Sequence, residues 1–270
     1  QVTVLQRGER VMDRFDPDLV DALQESCTVR KIDIRTNVET HSIERSDGGF
    51  TVHITEGTGS ATTIETGLVI AALGRIPNLE ALNLEVTEVT ADRRGIETDA
   101  SMQTSAPHIY AVGDCVAGIQ LSPISDAEGR TAARNIIADL KAENGDTTAP
   151  ASRATVDLST LPTVVFTYPQ LAQFGISEEE ARTRGDVRIN RGSGAGWPNY
   201  RRLNESHVRY KVMIDEKTDQ ILGAHVLAPL AGELVNLLAL AARQGTTAAE
   251  FREIPWAYPT YSSDLKYMLG

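Results

Sequence analysis

The first third of the chain alternates apolar and polar residues over short stretches, a pattern typical of β-strands. The opening residues 2–5, Val-Thr-Val-Leu, already form such a stretch. Asp16 and Pro17 then predict a helix over 16–23, because aspartate caps a helix N-terminus and proline fits its first position. Three more strands, the last two joined by a hairpin turn at 46–49, are predicted at 29–34, 38–44 and 50–55.

The middle of the chain opens with a continuous apolar run from Leu68 to Leu73, which predicts a strand buried on both faces. A loop with the sequence Gly-Arg-Ile-Pro-Asn follows at 74–78. Two shorter strands are predicted at 96–98 and 109–112. Apolar residues at helical spacing then predict a helix over 126–142.

The last part of the chain has a different pattern, in which strands are followed by helices as in α+β domains. It is preceded by a predicted interdomain linker at 143–154, which is rich in Gly, Pro, Ser, Thr and Asp and lacks large apolar residues. The predicted elements are a strand at 163–167, a capped helix start at Ser177, an antiparallel strand pair at 208–214 and 221–227, and a helix at 232–245.

Composition narrows the classes of protein and partner. The net charge of −11 is spread over 270 residues, which argues against nucleic acid or an anionic membrane, since both require clustered Lys and Arg. No apolar run reaches the roughly 18 residues of a membrane span, and no signal peptide opens the chain. Cys27 and Cys115 lack metal-ligand spacing. We therefore predict a cytoplasmic protein with reduced thiols, no metal site and no membrane span.

Gly113 and Asp114 follow the predicted strand 109–112 and are the first candidates for chemistry. Ligands of α/β folds bind beyond the carboxyl ends of strands, where a glycine lets the backbone approach the ligand closely. The aspartate carboxylate can accept hydrogen bonds from sugar hydroxyls. For these two residues alone, a plain turn is the favoured interpretation.

Residues 106–114, Ala-Pro-His-Ile-Tyr-Ala-Val-Gly-Asp, closely resemble the second flavin-binding motif of the flavoprotein pyridine nucleotide-disulfide oxidoreductases. That family includes glutathione reductase, dihydrolipoamide dehydrogenase and mercuric reductase. Residues 69–78 resemble the strand and loop where its chain leaves the nicotinamide domain, and Gly74 in this loop joins the candidate cofactor-binding residues. Segments that resemble the family's interface domain are 162–167, 174–178, 222–225, 231–234 and 259–260.

The resemblance implies an α/β remnant of two dinucleotide-binding, Rossmann-like domains plus a C-terminal α+β interface domain. Its parts would be a partial NAD(P)-binding domain at 1–77, the C-terminal piece of an FAD-binding domain at 78–150, and an interface or dimerisation domain at 151–270 that forms a homodimer. The family's Gly-x-Gly-x-x-Gly turns occur nowhere in the chain, which also begins within a predicted strand. We therefore expect a C-terminal portion whose flavin-binding N-terminal half lies upstream.

The resemblance also assigns FAD as a cofactor. Asp114 would hydrogen-bond the flavin's ribityl or nearby hydroxyls, with Gly113 allowing close approach. Leu121, Ser122 and Pro123 resemble the segment whose helix start faces the flavin ring, where a helix N-terminus stabilises negative charge. Taken alone, these three residues favour an ordinary turn into a helix.

Arg7 and Arg10 follow the first strand, which resembles the second strand of the family's nicotinamide domain. Enzymes that use NAD end this strand with an acid that holds the ribose hydroxyls, whereas those that use NADP place arginines nearby. No acid lies directly at the tip of this strand. We therefore expect NADP rather than NAD, with solvated surface arginines as the alternative.

Tyr258 and Ser263 stand where the family has a histidine and a glutamate that handle protons for a dithiol, with Asp264 one residue late. A phenol with a reference pKa of about 10 cannot replace an imidazole near 6.5 as a proton shuttle at neutral pH. No catalytic residue is therefore assigned, and we expect an acceptor other than a disulfide, such as a quinone or another small molecule.

These observations favour a portion of an FAD-dependent NAD(P)H oxidoreductase. A parent that is a true disulfide reductase remains open. So does a second class of function, a noncatalytic dimerisation or scaffold fragment that binds no flavin alone, since the isolated chain lacks the pyrophosphate-binding turns.

Overall fold

The computed structural model describes residues 1–146, 148, 150 and 152–270. Contacts within the chain divide it into two compact units. The first unit combines residues Gln1–Val69 with Ser159–Gly270, and the second is Ile70–Leu158. Among the described helices, none has both the length and the apolar character that crossing a membrane requires.

The N-terminal part of the first unit contains a parallel strand pair and an antiparallel hairpin sheet. Asp16 caps the helix by accepting hydrogen bonds from the Asp18 and Leu19 amides, and Pro17 begins it, as predicted. The helix extends beyond the predicted range to Val29, and in the added part Cys27 packs against the core formed by the earlier apolar residues. The elements are β1 (Val2–Leu5), α1 (Pro17–Val29), β2 (Ile32–Arg35), β3 (Val38–Ser46), β4 (Gly49–Glu56) and β5 (Ala61–Thr66).

Strand β1 pairs in parallel with β2, and α1 connects them. This strand–helix–strand arrangement is the repeating unit of dinucleotide-binding folds. Strands β3, β4 and β5 form a separate antiparallel sheet, and the predicted turn at 46–49 joins the first two.

The prediction of a buried strand from Leu68 to Leu73 is wrong. These residues belong to no strand, and Leu73 is 96% exposed. A strand requires ladder hydrogen bonds to a neighbour, and none of the described strands pairs with this segment. An apolar run by itself therefore did not specify the structure.

The second unit contains a short hairpin and one long helix. The strand predicted at 109–112 does not form, because Tyr110 makes only an isolated bridge to Gln103. The helix begins at Ser122, four residues before its predicted start, and ends near its predicted end. The elements are β6 (Ala91–Asp92), β7 (Gly95–Ile96) and α2 (Ser122–Glu143).

The predicted linker at 143–154 lies partly outside the described residues, since Thr147, Ala149 and Ala151 are not described. Within its described part, the Ala154 amide donates to Asn135 Oδ1 on α2 at 2.8 Å. The division of the chain at 77/78 and 150/151 stays a prediction.

The C-terminal part of the first unit is a five-stranded antiparallel sheet with helices. Ser177 caps α3 by accepting a hydrogen bond from the Glu180 amide, and the predicted strand pair forms β11 and β12. The strand order is β10-β11-β12-β9-β8. The elements are β8 (Thr163–Val165), β9 (Gln170–Gly175), α3 (Glu178–Arg184), β10 (Val187–Gly192), α4 (Pro198–Arg202), β11 (Arg209–Asp215), β12 (Ile221–Ala228), α5 (Ala231–Arg243), α6 (Ala248–Glu253) and α7 (Tyr261–Met268).

Both faces of this sheet are covered. Successive strand residues point to opposite faces, so Ala172 and Val226 pack in the main core with α5, whereas Leu171 and Leu227 pack against α1. The apolar side of α5 is mostly buried in this core, with Leu238 fully covered. The apolar side of α5 therefore packs within the chain itself.

Candidate functional site

The turn at Gly113 lies in the second unit as a single 3-10 turn, Gly113–Cys115, after extended Val112. The φ angle of Gly113 is +75°, and a Cβ added there would lie 3.2 Å from Ser125 Oγ. Both facts favour glycine at this position. The Asp114 carboxylate that follows is 55% exposed and is therefore free to accept hydrogen bonds from a ligand.

Glu128 on α2 holds this turn in place. Its side chain is buried, and its Oε2 accepts a hydrogen bond from the Gly113 amide at 2.6 Å. Sequence reasoning did not identify Glu128. A signal was present, since a charged residue lies four positions after buried Ile124 and seven before buried Asn135 on the same helix face.

Glu128→Ala is expected to lower the free energy of unfolding by about 1–3 kcal/mol, because the Gly113 amide loses its acceptor. Glu128→Gln keeps an acceptor oxygen and is expected to lose about half of that or less. Urea unfolding of the two variants checks this. Equal losses of unfolding free energy would show that burial of the Glu128 side chain, and not its bond to Gly113, stabilises the protein.

The start of α2 provides a second feature beside the turn. Leu121 is its N-cap and makes no side-chain capping bond, while Pro123 lies in the first turn. Ser122 and Pro123 are exposed. The first amides of a helix have no intrahelical acceptor and carry partial positive charge, so the start of this 22-residue helix favours a negative group.

The loop that contains Gly74 contributes a third feature. Gly74 is exposed with φ +91°, and the next residue, Arg75, places Nη1 3.7 Å from Asp114 Oδ2. Both side chains are more than half exposed, so this ion pair contributes little to stability. The structure thus brings the 74–75 loop, the Gly113 turn and α2 together in the second unit.

Arg7 and Arg10 lie in the first unit, in the segment between β1 and α1. The Arg10 guanidinium donates to Pro17 O at 2.9 Å and to Asp21 Oδ1 at 2.8 Å, so it is bound to α1. Arg7 is exposed, and no hydrogen bond or ion pair to its side chain is found among the described residues. Of the two, Arg7 is free to meet a phosphate.

Tyr258 and Ser263 are both in the first unit, but they differ in environment. The Tyr258 side chain is 67% exposed, whereas Ser263 is buried. The Ser263 hydroxyl donates to Thr260 O at 2.6 Å in the cap of α7. A hydroxyl engaged in a helix cap is not a proton carrier.

Asp264, the residue after Ser263, is likewise buried. It is 1% exposed, and its Oδ2 accepts a hydrogen bond from Asn199 Nδ2 at 3.0 Å. Burial raises the pKa of the Asp264 carboxyl, and the bond from Asn199 acts in the opposite direction. This carboxyl therefore faces the core rather than an open site.

Neither cysteine forms a disulfide. The Cys115 thiol donates to Val112 O at 3.2 Å, and burial raises the pKa of the Cys27 thiol. Within the described parts of the chain, no group of His, Cys, Asp and Glu has the arrangement of a metal site.

Two family descriptions match this chain. Residues 1–129 match "Pyridine nucleotide-disulphide oxidoreductase", and residues 161–269 match "Pyridine nucleotide-disulphide oxidoreductase, dimerisation domain". The two matches follow the order that the sequence resemblance predicts.

Similar proteins and a similar structure agree with these matches. A mercuric reductase of Staphylococcus aureus is 30% identical over 268 residues, which are 98% of this chain and 47% of that protein. An uncharacterized 19.7 kDa protein in the mercuric resistance operon of Staphylococcus aureus is 33% identical over 192 residues, which are 70% of this chain and 100% of that protein.

The Cu(II) complex of the HOCl-induced flavoprotein disulfide reductase RclA from Escherichia coli has a TM-score of 0.83 and 25% identity. The match covers 99% of this chain and 59% of that one. Apart from the short operon protein, the chain spans about half the length of the curated relatives it matches. The predicted fold class, Rossmann-like elements with a dimerisation domain, is confirmed.

Proposed function

We propose, from the premise that this chain belongs to the pyridine nucleotide-disulphide oxidoreductase family, that it forms part of an FAD-dependent NADPH oxidoreductase whose acceptor is not a disulfide. The observation that carries this proposal is the Gly113 turn, with its exposed Asp114 carboxylate beside the start of α2. Oxidoreductase activity is the function of the family as a whole, whereas the cofactor pair and acceptor are specific to the proposal.

The residues of the second unit fit a flavin. Gly113 leaves open the space that a Cβ would fill, and Asp114 can accept hydrogen bonds from sugar-like hydroxyls. The start of α2, which begins with the Ser122 amide, suits a negative charge. When bound, the flavin would supply the transfer of electrons between nicotinamide and acceptor. The protein would bind and orient the flavin and stabilise negative charge on it.

The nicotinamide nucleotide would be NADPH, with Arg7 as the contact to its 2′-phosphate. Arg7→Ala is expected to weaken NADPH binding about tenfold or more and to leave NADH binding unchanged, because a hydrogen bond to a charged group contributes about 1.5–3 kcal/mol. Arg45→Ala, at an exposed arginine of β3, is the matched control. Equal effects on both nucleotides would argue against a role in recognising the phosphate, and isothermal titration measures both.

The acceptor follows from the C-terminal residues. The positions of the family's histidine and glutamate hold no proton carrier here. They are occupied by Tyr258 and by Ser263, whose hydroxyl is bound in the α7 cap, and the neighbouring Asp264 carboxyl faces the core. Names of similar proteins span both classes, since one is a mercuric reductase and another a disulfide reductase. The proposed acceptor is therefore a quinone or another small molecule.

A homodimer formed through residues 151–270 is part of the proposal. The match of residues 161–269 to a dimerisation domain supports it. Several large apolar residues of this part are exposed and suit an interface. They are Phe166, Tyr168, Leu230, Leu240, Tyr258 and Tyr267.

A second candidate function is a noncatalytic dimerisation or scaffold role, favoured by the absence of any Gly-x-Gly-x-x-Gly in the sequence. The visible absorption spectrum of the purified chain, with and without added FAD, separates the two. A stoichiometric flavin band that survives gel filtration would assign the oxidoreductase function to this chain. A colourless protein after incubation with FAD would favour the scaffold role.

A further inference from the structure

His225 is a buried histidine on the central strand β12, and the proposed function makes no use of it. Its direct cross-strand neighbours are Lys211 on β11 and Gln173 on β9. Side chains opposite one another on neighbouring strands share one face, and this face is the one that α1 covers, because Leu227 two residues on packs there. His225 is 5% exposed. Its imidazole is therefore surrounded by protein.

The hydrogen bond of His225 defines which ring nitrogen carries the proton. Nε2 lies 3.0 Å from Ile176 O. A carbonyl oxygen can only accept, so Nε2 is the protonated nitrogen and Nδ1 of the neutral ring is bare. Nδ1 is buried and has no hydrogen-bond partner among the described residues. A second proton, on Nδ1, would be a buried donor without an acceptor, which is unfavourable.

The charged groups on the elements around His225 already balance one another. Lys211 Nζ lies 2.9, 2.6 and 2.5 Å from three carboxylates, and two arginines pair with the last of these. An imidazolium at His225 would be a fourth cation facing three anions, with no anion of its own. The carboxylates are Asp16, Asp18 and Glu178, the arginines are Arg182 and Arg191, and the other charged residues that line the same cavity, Asp13, Arg14 and Glu179, are exposed.

The pKa of His225 is held below its ordinary value. Burial is the main cause, and the Lys211 ammonium acts in the same direction. The bond to Ile176 and the carboxylates of Asp16 and Glu178 act to raise the pKa, but the net shift is downward. A histidine with a lowered folded-state pKa stabilises the fold fully above the unfolded-state pKa near 6.5, and this stabilisation is lost as the pH falls below it.

The bond from His225 joins the centre of the sheet to the start of α3. Ile176 directly follows β9, and the next residue, Ser177, caps α3. Glu178 in the first turn of α3 contacts Lys211. To hydrate a protonated Nδ1, the ring has to leave its buried position, which breaks the bond to Ile176 O. Protonation would therefore loosen the start of α3.

We propose that His225 is an acid-sensitive switch: as a neutral imidazole it fastens the start of α3 to β12, and when protonated it releases this junction. All of the groups involved lie in the first unit. The proposal therefore does not rest on the cofactors or the acceptor proposed above. Release is confined to mildly acidic solution, because the imidazole is neutral at higher pH.

The test compares the full 270-residue wild type with His225→Gln at pH 7.5 and at pH 5.5. Glutamine keeps an N–H donor for Ile176 O but does not titrate. On acidification, the equilibrium constant for unfolding in urea should rise about threefold to tenfold more in the wild type than in His225→Gln, with the upper limit set by the unfolded-state pKa near 6.5. Amide hydrogen exchange, corrected for its intrinsic rate, should show acid-induced opening of α3 in the wild type only.

The matched control is His41→Gln, which removes an exposed histidine bonded to Thr55 and should keep the wild-type response to pH. If His225→Gln also keeps the wild-type response, in stability and in α3 exchange, the proposal is overturned.

A second measurement decides the question if His225→Gln does not fold. The histidine ring signals of the labelled wild type are titrated by NMR. The switch then requires both a pKa of His225 below about 6.5 and opening of α3 at pH 5.5, and the absence of either overturns it. The remaining signals are assigned by single substitutions of His41, His53, His108 and His207.

Discussion

Replacing Gly175 by alanine is expected to lower the free energy of unfolding by about 3 kcal/mol or more. Gly175 ends β9 with φ +73°, and an added Cβ would lie 2.1 Å from Leu222 O and 2.7 Å from Gly223 Cα. These are backbone atoms of the central strand β12, which cannot move without disturbing its pairing on both sides. The variant therefore combines left-handed strain with a displaced strand.

Gly185→Ala is the matched control for this prediction. Its φ is +77°, and an added Cβ would meet no atom within 4 Å. Only the conformational strain applies, so a loss of about 1 kcal/mol is expected. Chemical denaturation of both variants measures the difference. Equal losses would mean that backbone strain, rather than the contact with β12, accounts for the destabilisation by Gly175→Ala.

Asp114→Ala is expected to weaken FAD binding about tenfold to a hundredfold in the flavin-loaded protein. The carboxylate is 55% exposed, and within the described residues its ion-pair partner is Arg75, whose Nη1 lies 3.7 Å from Oδ2, so a ligand can reach it. Hydrogen bonds to a charged group contribute about 1.5–3 kcal/mol, which corresponds to that range of affinity. Equilibrium dialysis against FAD gives the change directly.

Asp92→Ala is the control for Asp114, since Asp92 is also exposed and paired with a neighbouring arginine, Arg94. It lies in the β6–β7 hairpin of the same unit. This variant should bind FAD as the wild type does. A similar loss of FAD affinity in both variants would show that the overall negative charge of the unit, and not Asp114 in particular, affects flavin binding.

Local signals predicted those parts of the fold that local chemistry determines. The cap at Asp16, the cap at Ser177 and the turn at 46–49 all form where the sequence places them. Each depends on residues within a few positions of one another. The antiparallel pair β11 and β12 was also predicted, because its strands are joined by a short turn.

Predictions failed where the structure depends on distant neighbours. The apolar run from Leu68 to Leu73 reads as a buried strand, yet no described strand pairs with it. Residues 109–112 are likewise extended by pattern but form one isolated bridge. Hydrophobic periodicity and apolar content indicate that a segment is able to form a strand. Whether the strand forms depends on hydrogen bonding to a neighbouring strand.

The candidate site divides in the same way. Gly113 and Asp114 were found from a motif that is contiguous in sequence. Glu128 was not, because its partner Gly113 is 15 residues away and only the fold brings the two together. A charged residue on a buried helix face is the sequence signal that such a residue leaves.

The most direct test of the proposed function is a comparison of acceptors with the flavin-loaded protein and NADPH. Steady-state rates would be measured with a quinone, with glutathione disulfide and with lipoamide. Because Tyr258 and the engaged Ser263 provide no proton carrier for a dithiol, kcat/KM for the quinone should exceed that for either disulfide. Faster reduction of a disulfide than of the quinone would contradict the account.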